Sequence, residues 1–82
     1  MSNRPKSVKS AMTTEEYAQL LRDVGMTMTG HALMLGREER TPQNWARTGR
    51  IPVDAVLPLV IMRERPELKE LIKQKARELR DE

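Results

Sequence analysis

Residues 29–52 run Thr-Gly-His-Ala-Leu-Met-Leu-Gly-Arg-Glu-Glu-Arg-Thr-Pro-Gln-Asn-Trp-Ala-Arg-Thr-Gly-Arg-Ile-Pro. The stretch reads as two short helices joined by a tight turn, the second basic and bearing side-chain amides. Helices that cross closely need a small side chain on the first, and Ala32 supplies it. Leu35, three residues on, shares that face and can enter the core. Gly36 falls where the chain must turn sharply, a position that favours positive φ. Trp45, nine positions later, is expected to anchor the inner face of the second helix. Ala32, Leu35, Gly36 and Trp45 are thus the expected core of the motif.

The second helix is expected from about Pro42 to Arg47 or Thr48, with Thr41 as N-cap, Pro42 as first helical residue and Gly49 as stop. Arg40, Gln43, Asn44 and Arg47 follow i, i+3, i+4, i+7 and share a face, opposite Pro42, Trp45 and Ala46. One side can pack while the other offers guanidinium and amide groups. These suit base edges in a major groove, where Arg pairs with guanine and Asn or Gln with adenine.

Met26-Thr27, Ala32 through Gly36, Arg40-Thr41, Trp45 through Gly49 and Ile51-Pro52 together resemble the helix-turn-helix of the lambda-repressor-like (Cro-type) family of bacterial and phage regulators. The resemblance extends less sharply over residues 13–63. It implies a compact all-helical domain that places its second motif helix in the DNA major groove, frequently as a homodimer on a palindromic site. The chain departs from the family at Arg37 and Pro42, both usually Val or Ile. Proline costs roughly 3 kcal/mol inside a helix but is welcome at its start, so the helix is expected to begin later, after a longer turn.

The remainder reads as one small domain of 82 residues. Residues 1–12 hold Arg4, Lys6 and Lys9 with no acid and no hydrophobic period, and are expected to be a disordered basic tail. Thr13 and Glu16 form a capping box for a first helix to about Val24, with Tyr17, Leu20, Leu21 and Val24 inward and Gly25 as stop. A second helix is expected from Thr29 or Gly30 to Leu35. A fourth is expected from Val53 to Arg63, with Pro58 kinking or delaying it. A fifth is expected from Pro66 to about Arg80. The fold class is therefore all-α, a bundle of about five helices containing the helix-turn-helix, with 13–63 as the DNA-binding domain and 64–82 as a C-terminal helix.

That last helix carries an apolar stripe, Leu68, Leu71, Ile72, Ala76 and Leu79, which either closes the core or forms a two-fold dimer contact. His31 is the single histidine and there is no cysteine, so it reads as a surface or helix-packing residue rather than a metal ligand. The six methionines read as gap-fillers in a core without phenylalanine. No nucleophile stands beside a base, no glycine loop cradles phosphate and no cofactor is implied. No small-molecule ligand is evident. No apolar run approaches the ~20 residues of a membrane span, and the N-terminus lacks the apolar core of a signal peptide. The missing cysteines suit a reducing cytoplasm, so a nucleoid-associated location is expected.

A net charge of +3 fits a nucleic-acid partner, and the excess lies in the tail and around residues 37–50. The expected function is a sequence-specific regulator of double-stranded DNA, not an enzyme. Arg40, Gln43, Asn44 and Arg47 would meet bases, and Thr27, Thr29, Arg37, Arg50, Arg4, Lys6 and Lys9 phosphates. A helix-turn-helix module for binding protein, or a weakly specific architectural DNA protein, are the alternatives.

Overall fold

A computed structural model of the protein describes residues 10–80. Those residues form five α-helices and no strand: α1 (Thr14–Val24), α2 (Met28–Leu35), α3 (Thr41–Thr48), α4 (Val53–Glu64) and α5 (Lys69–Arg80), with a 3-10 turn at Pro66–Leu68 before α5. The expected all-α bundle is what the chain adopts. Arg4, Lys6 and Lys9 lie outside the described residues.

Local chemistry sets the helix ends. The Thr13 hydroxyl accepts from the Glu16 N–H while the Glu16 carboxylate accepts from the Thr13 N–H, the reciprocal capping box. Thr27 caps α2 by accepting from the Gly30 N–H at 3.0 Å, so this helix begins at Met28, earlier than Thr29. At its other end Gly36 takes φ 71°, and the Arg37 N–H closes back on the Ala32 carbonyl at 2.9 Å. A side chain at that φ would be strained, which fixes the turn at the glycine.

Thr41 does not cap α3. Arg40 is the N-cap, already in the right-handed helical region at φ −79°, ψ −11°, and makes no side-chain cap bond. A side-chain cap requires the extended backbone that Thr13 and Thr27 adopt. The Thr41 N–H instead bonds the Glu38 carbonyl at 3.0 Å, so the turn winds into the helix one residue early and Pro42 falls second in α3. Pro58 neither delays nor ends α4, which runs through it to Glu64.

The core gathers Tyr17, Leu20, Leu21 and Val24 of α1, Ala32 and Met34 of α2, Ile51, and Ala55, Val56, Leu59 and Met62 of α4. At its centre His31 is fully buried. It packs between helices and is not a surface residue. The Tyr17 hydroxyl donates to Nδ1 at 2.6 Å, and Nε2–H donates to the Ala55 carbonyl at 2.7 Å. One neutral imidazole therefore ties α1, α2 and α4, using both ring nitrogens.

Residues 10–12 are docked, not a disordered part of the tail. Ala11 N–H donates to the Ile51 carbonyl at 2.7 Å, and Ile51 N–H donates to the Ser10 hydroxyl at 2.9 Å. The C-terminal stripe also divides. Leu68, Ile72 and Ala76 are half-buried, Ile72 and Ala76 packing on the core, whereas Leu71 and Leu79 are exposed. Core closure thus uses the middle of the stripe.

Two outcomes follow from the buried imidazole. Replacing Tyr17 with Phe leaves Nδ1 buried without a donor, which costs about 1–3 kcal/mol. Each kcal/mol should lower the melting temperature by about 4–8 °C in a domain of this size. Burial holds the His31 pKa below its ordinary 6.5, with the Ala55 hydrogen bond opposing in part. The unfolded chain then takes up the proton first, so this contribution to stability is complete above pH 6.5 and is lost as pH falls through the folded pKa. His31 is the only histidine, so an NMR titration of its imidazole reads the effect directly. It should be less than half protonated at pH 6.5, and half-protonation there would refute the account.

Candidate nucleic-acid interface

α3 is held by one side. Pro42 is buried, and Trp45 and Ala46 are half-buried. The Trp45 ring meets His31 edge-on with centroids 6.0 Å apart. Trp45 is therefore a wall of the core, less enclosed than a full anchor. Leu35 is likewise half-buried. The Thr14 hydroxyl donates to the Ala46 carbonyl at 2.8 Å and pins α1 to the same helix.

The opposite side of α3 is open. Arg40, Gln43, Asn44 and Arg47 are all exposed, as their spacing requires. Arg47 Nη2 donates to Asn44 Oδ1 at 3.3 Å, a contact long enough to yield to a better acceptor. α3 contains no acidic residue, although Glu38 and Glu39 flank it in the preceding turn. Its outer face thus combines a fork of donors on each guanidinium with amides that both donate and accept.

The residues expected at phosphates divide by how committed they already are. Thr27 and Thr29 are exposed at the start of α2, and Thr27 keeps its hydroxyl proton after capping Gly30. Arg50 is exposed beside the α3 stop and joins no ion pair among the described residues. Arg37 is engaged. Its guanidinium lies 5.8 Å from the Trp45 ring centroid and 3.7 Å from Asp54 Oδ2. This links the α2–α3 turn to the start of α4. Asp54 was not among the sequence-derived candidates, because nothing local marks a carboxylate 17 positions away as the partner of an arginine.

A second feature escaped the sequence reading. A cleft of about 320 Å³ runs between α2 and α5, lined by Met26, Thr27, Leu33 and Met34 and by Lys73, Arg77 and Arg80. The i, i+4, i+8, i+11 spacing of Lys69, Lys73, Arg77 and Arg80 is the signal that could have shown it, hidden because residues 64–82 balance in charge overall. Among the described residues no three His, Cys, Asp or Glu side chains converge on a metal position. No described helix is long and apolar enough to cross a membrane.

No family model matches the chain, and neither a curated protein nor a solved structure does.

The one-sided attachment of α3 has a direct consequence for stability. Alanine at Gln43, Asn44 or Arg47 should change unfolding free energy by no more than about 0.5 kcal/mol. Trp45→Ala should cost more than any of them, since it removes contacts with His31 and Arg37 together. Denaturant midpoints of the four variants check the ordering.

Proposed function

We propose that this protein is a sequence-specific double-stranded DNA-binding regulator. α2, the turn at residues 36–40 and α3 then act as a helix-turn-helix with α3 in the major groove. The observation that carries the reading is the outer face of α3, where Arg40, Gln43, Asn44 and Arg47 stand exposed on an acid-free helix that is fixed from behind. The resemblance to the Cro-type family supports it through Gly36, Trp45, Gly49 and Ile51-Pro52. The net charge of +3 supports association with a polyanion.

In this reading Gln43, Asn44 and Arg47 meet base edges and Arg40 lies beside them at the helix tip. Thr27, Thr29 and Arg50 hold phosphates, and Arg4, Lys6 and Lys9 add charge near the duplex. Arg37 can reach a phosphate only by leaving Asp54, so its first duty is to brace the turn. A single short helix reads few base pairs, and a homodimer on two half-sites about 34 Å apart would double the site. Exposed aliphatic residues are available for that contact: Leu71 and Leu79 on α5, and Val53, Leu57 and Ile61 on α4. Action is by occupancy, with no chemical step, at the nucleoid.

Selection of tight-binding duplexes from a random pool, followed by titration, tests the proposal. Alanine at Gln43, Asn44 or Arg47 should each weaken the selected site by about 1–3 kcal/mol and relax preference at one position. Equal affinity for every duplex would favour an architectural role, and no duplex binding at low salt would overturn the reading. For assembly, sedimentation at tens of micromolar should give a dimer that Leu71→Glu converts to a folded monomer. A native monomer that binds one half-site as tightly as two would refute the dimer.

A further inference from the structure

α5 presents three different faces. Ile72 and Ala76 pack on the core, and Leu71 points to solvent. Lys69, Lys73, Arg77 and Arg80 form a third line, turned roughly 90° from the buried one by the 100° advance per residue. This line runs beside α2. A Cβ on Gly25, just before α2, would lie 3.4 Å from the Lys69 Nζ, and one on Gly36, just after it, would lie 3.5 Å from the Arg80 Cγ. The two helices therefore run parallel, with Lys73 and Arg77 between those ends and the cleft along their seam.

Lys75 pairs with Glu78 on another face, but none of Lys69, Lys73, Arg77 and Arg80 forms an ion pair among the described residues. The cleft has Met26, Leu33 and Met34 in its lining and no carboxylate. Long basic side chains can lay their stems over such a floor and keep their charged heads in water. From Lys69 to Arg80 the row spans roughly 16 Å at 1.5 Å per residue. A duplex strand carries one negative charge per ~3.4 Å of axis, so several phosphates fit that length.

We infer that the basic row of α5 is a second DNA-backbone grip, seating duplex phosphates alongside Thr27 through Lys69, Lys73, Arg77 and Arg80. The inference rests on the DNA-binding reading and adds to it. α3 reads sequence, whereas α5 supplies affinity that is indifferent to sequence. It also assigns α5 a role compatible with core closure, since the buried and basic lines are separate.

The test compares the full chain with K73Q/R77Q and with R65Q/K75Q, which removes the same charge from side chains paired with Glu67 and Glu78. Affinity for a selected duplex and a random one is measured from low to moderate salt. In K73Q/R77Q the slope of log affinity against log salt should fall by ~1–2, with similar loss on both duplexes. R65Q/K75Q should keep the native slope. A second readout needs no variant: bound duplex should protect Lys69 and Lys73, but not Lys75, from reductive methylation. A native slope in K73Q/R77Q, loss confined to the selected duplex, or unprotected Lys69 and Lys73 would overturn the α5 grip while leaving α3 as reader. Absence of any duplex binding by the native chain would overturn both.

Discussion

The fold depends on a neutral imidazole at its centre. His31 accepts from Tyr17 of α1, donates to the Ala55 carbonyl of α4 and meets the Trp45 ring of α3, while itself belonging to α2. Four helices thus converge on one side chain. In an aliphatic core such a group is costly unless both nitrogens are satisfied, and here both are. The same hydrogen bonds are directional, which aliphatic packing is not. They fix how α2 sits against α1 and α4, and the position of Trp45 against the ring then carries that arrangement into α3. Tyr17 shares the constraint: burial pushes its phenol up to about 12, so it remains a donor across the neutral range.

That arrangement explains how an eight-residue helix can present a defined outer face. α3 is too short to be stable alone, since isolated helices below about 12–15 residues are marginal in water. Its order comes from Pro42 and Trp45 on the inside and from the Thr14–Ala46 hydrogen bond. The Arg37–Asp54 pair is exposed, and such pairs contribute about 0–1 kcal/mol. Its use lies more in geometry, because it braces the turn against α4 while Arg37 covers Trp45. Every restraint on α3 therefore acts from its inner side or its ends, and Gln43, Asn44 and Arg47 remain unencumbered by packing.

What could be read from the sequence was what short-range chemistry determines. The Thr13–Glu16 box, the glycine stops and the division of α3 between Pro42–Trp45–Ala46 and Gln43–Asn44–Arg47 each depend on residues within about two turns. The cap of α3 was read one residue late, because a threonine before proline has capping chemistry whatever the preceding turn does. Here that turn had already wound into helical geometry at Arg40. For His31 the sequence left surface and helix-packing roles open, for a different reason. Its partners lie 14 residues before it and 24 after it, and neither Gly30 nor Ala32 marks the position as buried. The docking of Ser10 on Ile51, 41 residues apart, was hidden in the same way. For the candidate site, the exposed α3 residues were legible from their period, but the engagement of Arg37 by Asp54 was not.

The C-terminal helix shows how one sequence line can conceal several roles. Its apolar residues were read as a single stripe, yet only Ile72 and Ala76 lie against the core, and Leu79, near the end of the helix, is three-quarters exposed. Charge over residues 64–82 balances, six Lys and Arg against six Asp and Glu, although α5 itself carries five cations and only Glu70 and Glu78. Glu78 pairs with Lys75 and Glu67 with Arg65, which leaves Lys69, Lys73, Arg77 and Arg80 without an ion pair among the described residues. A segment that is neutral over residues 64–82 can still turn a basic edge toward one neighbour. Here the neighbour is α2, the helix that joins the core histidine to the turn leading into α3.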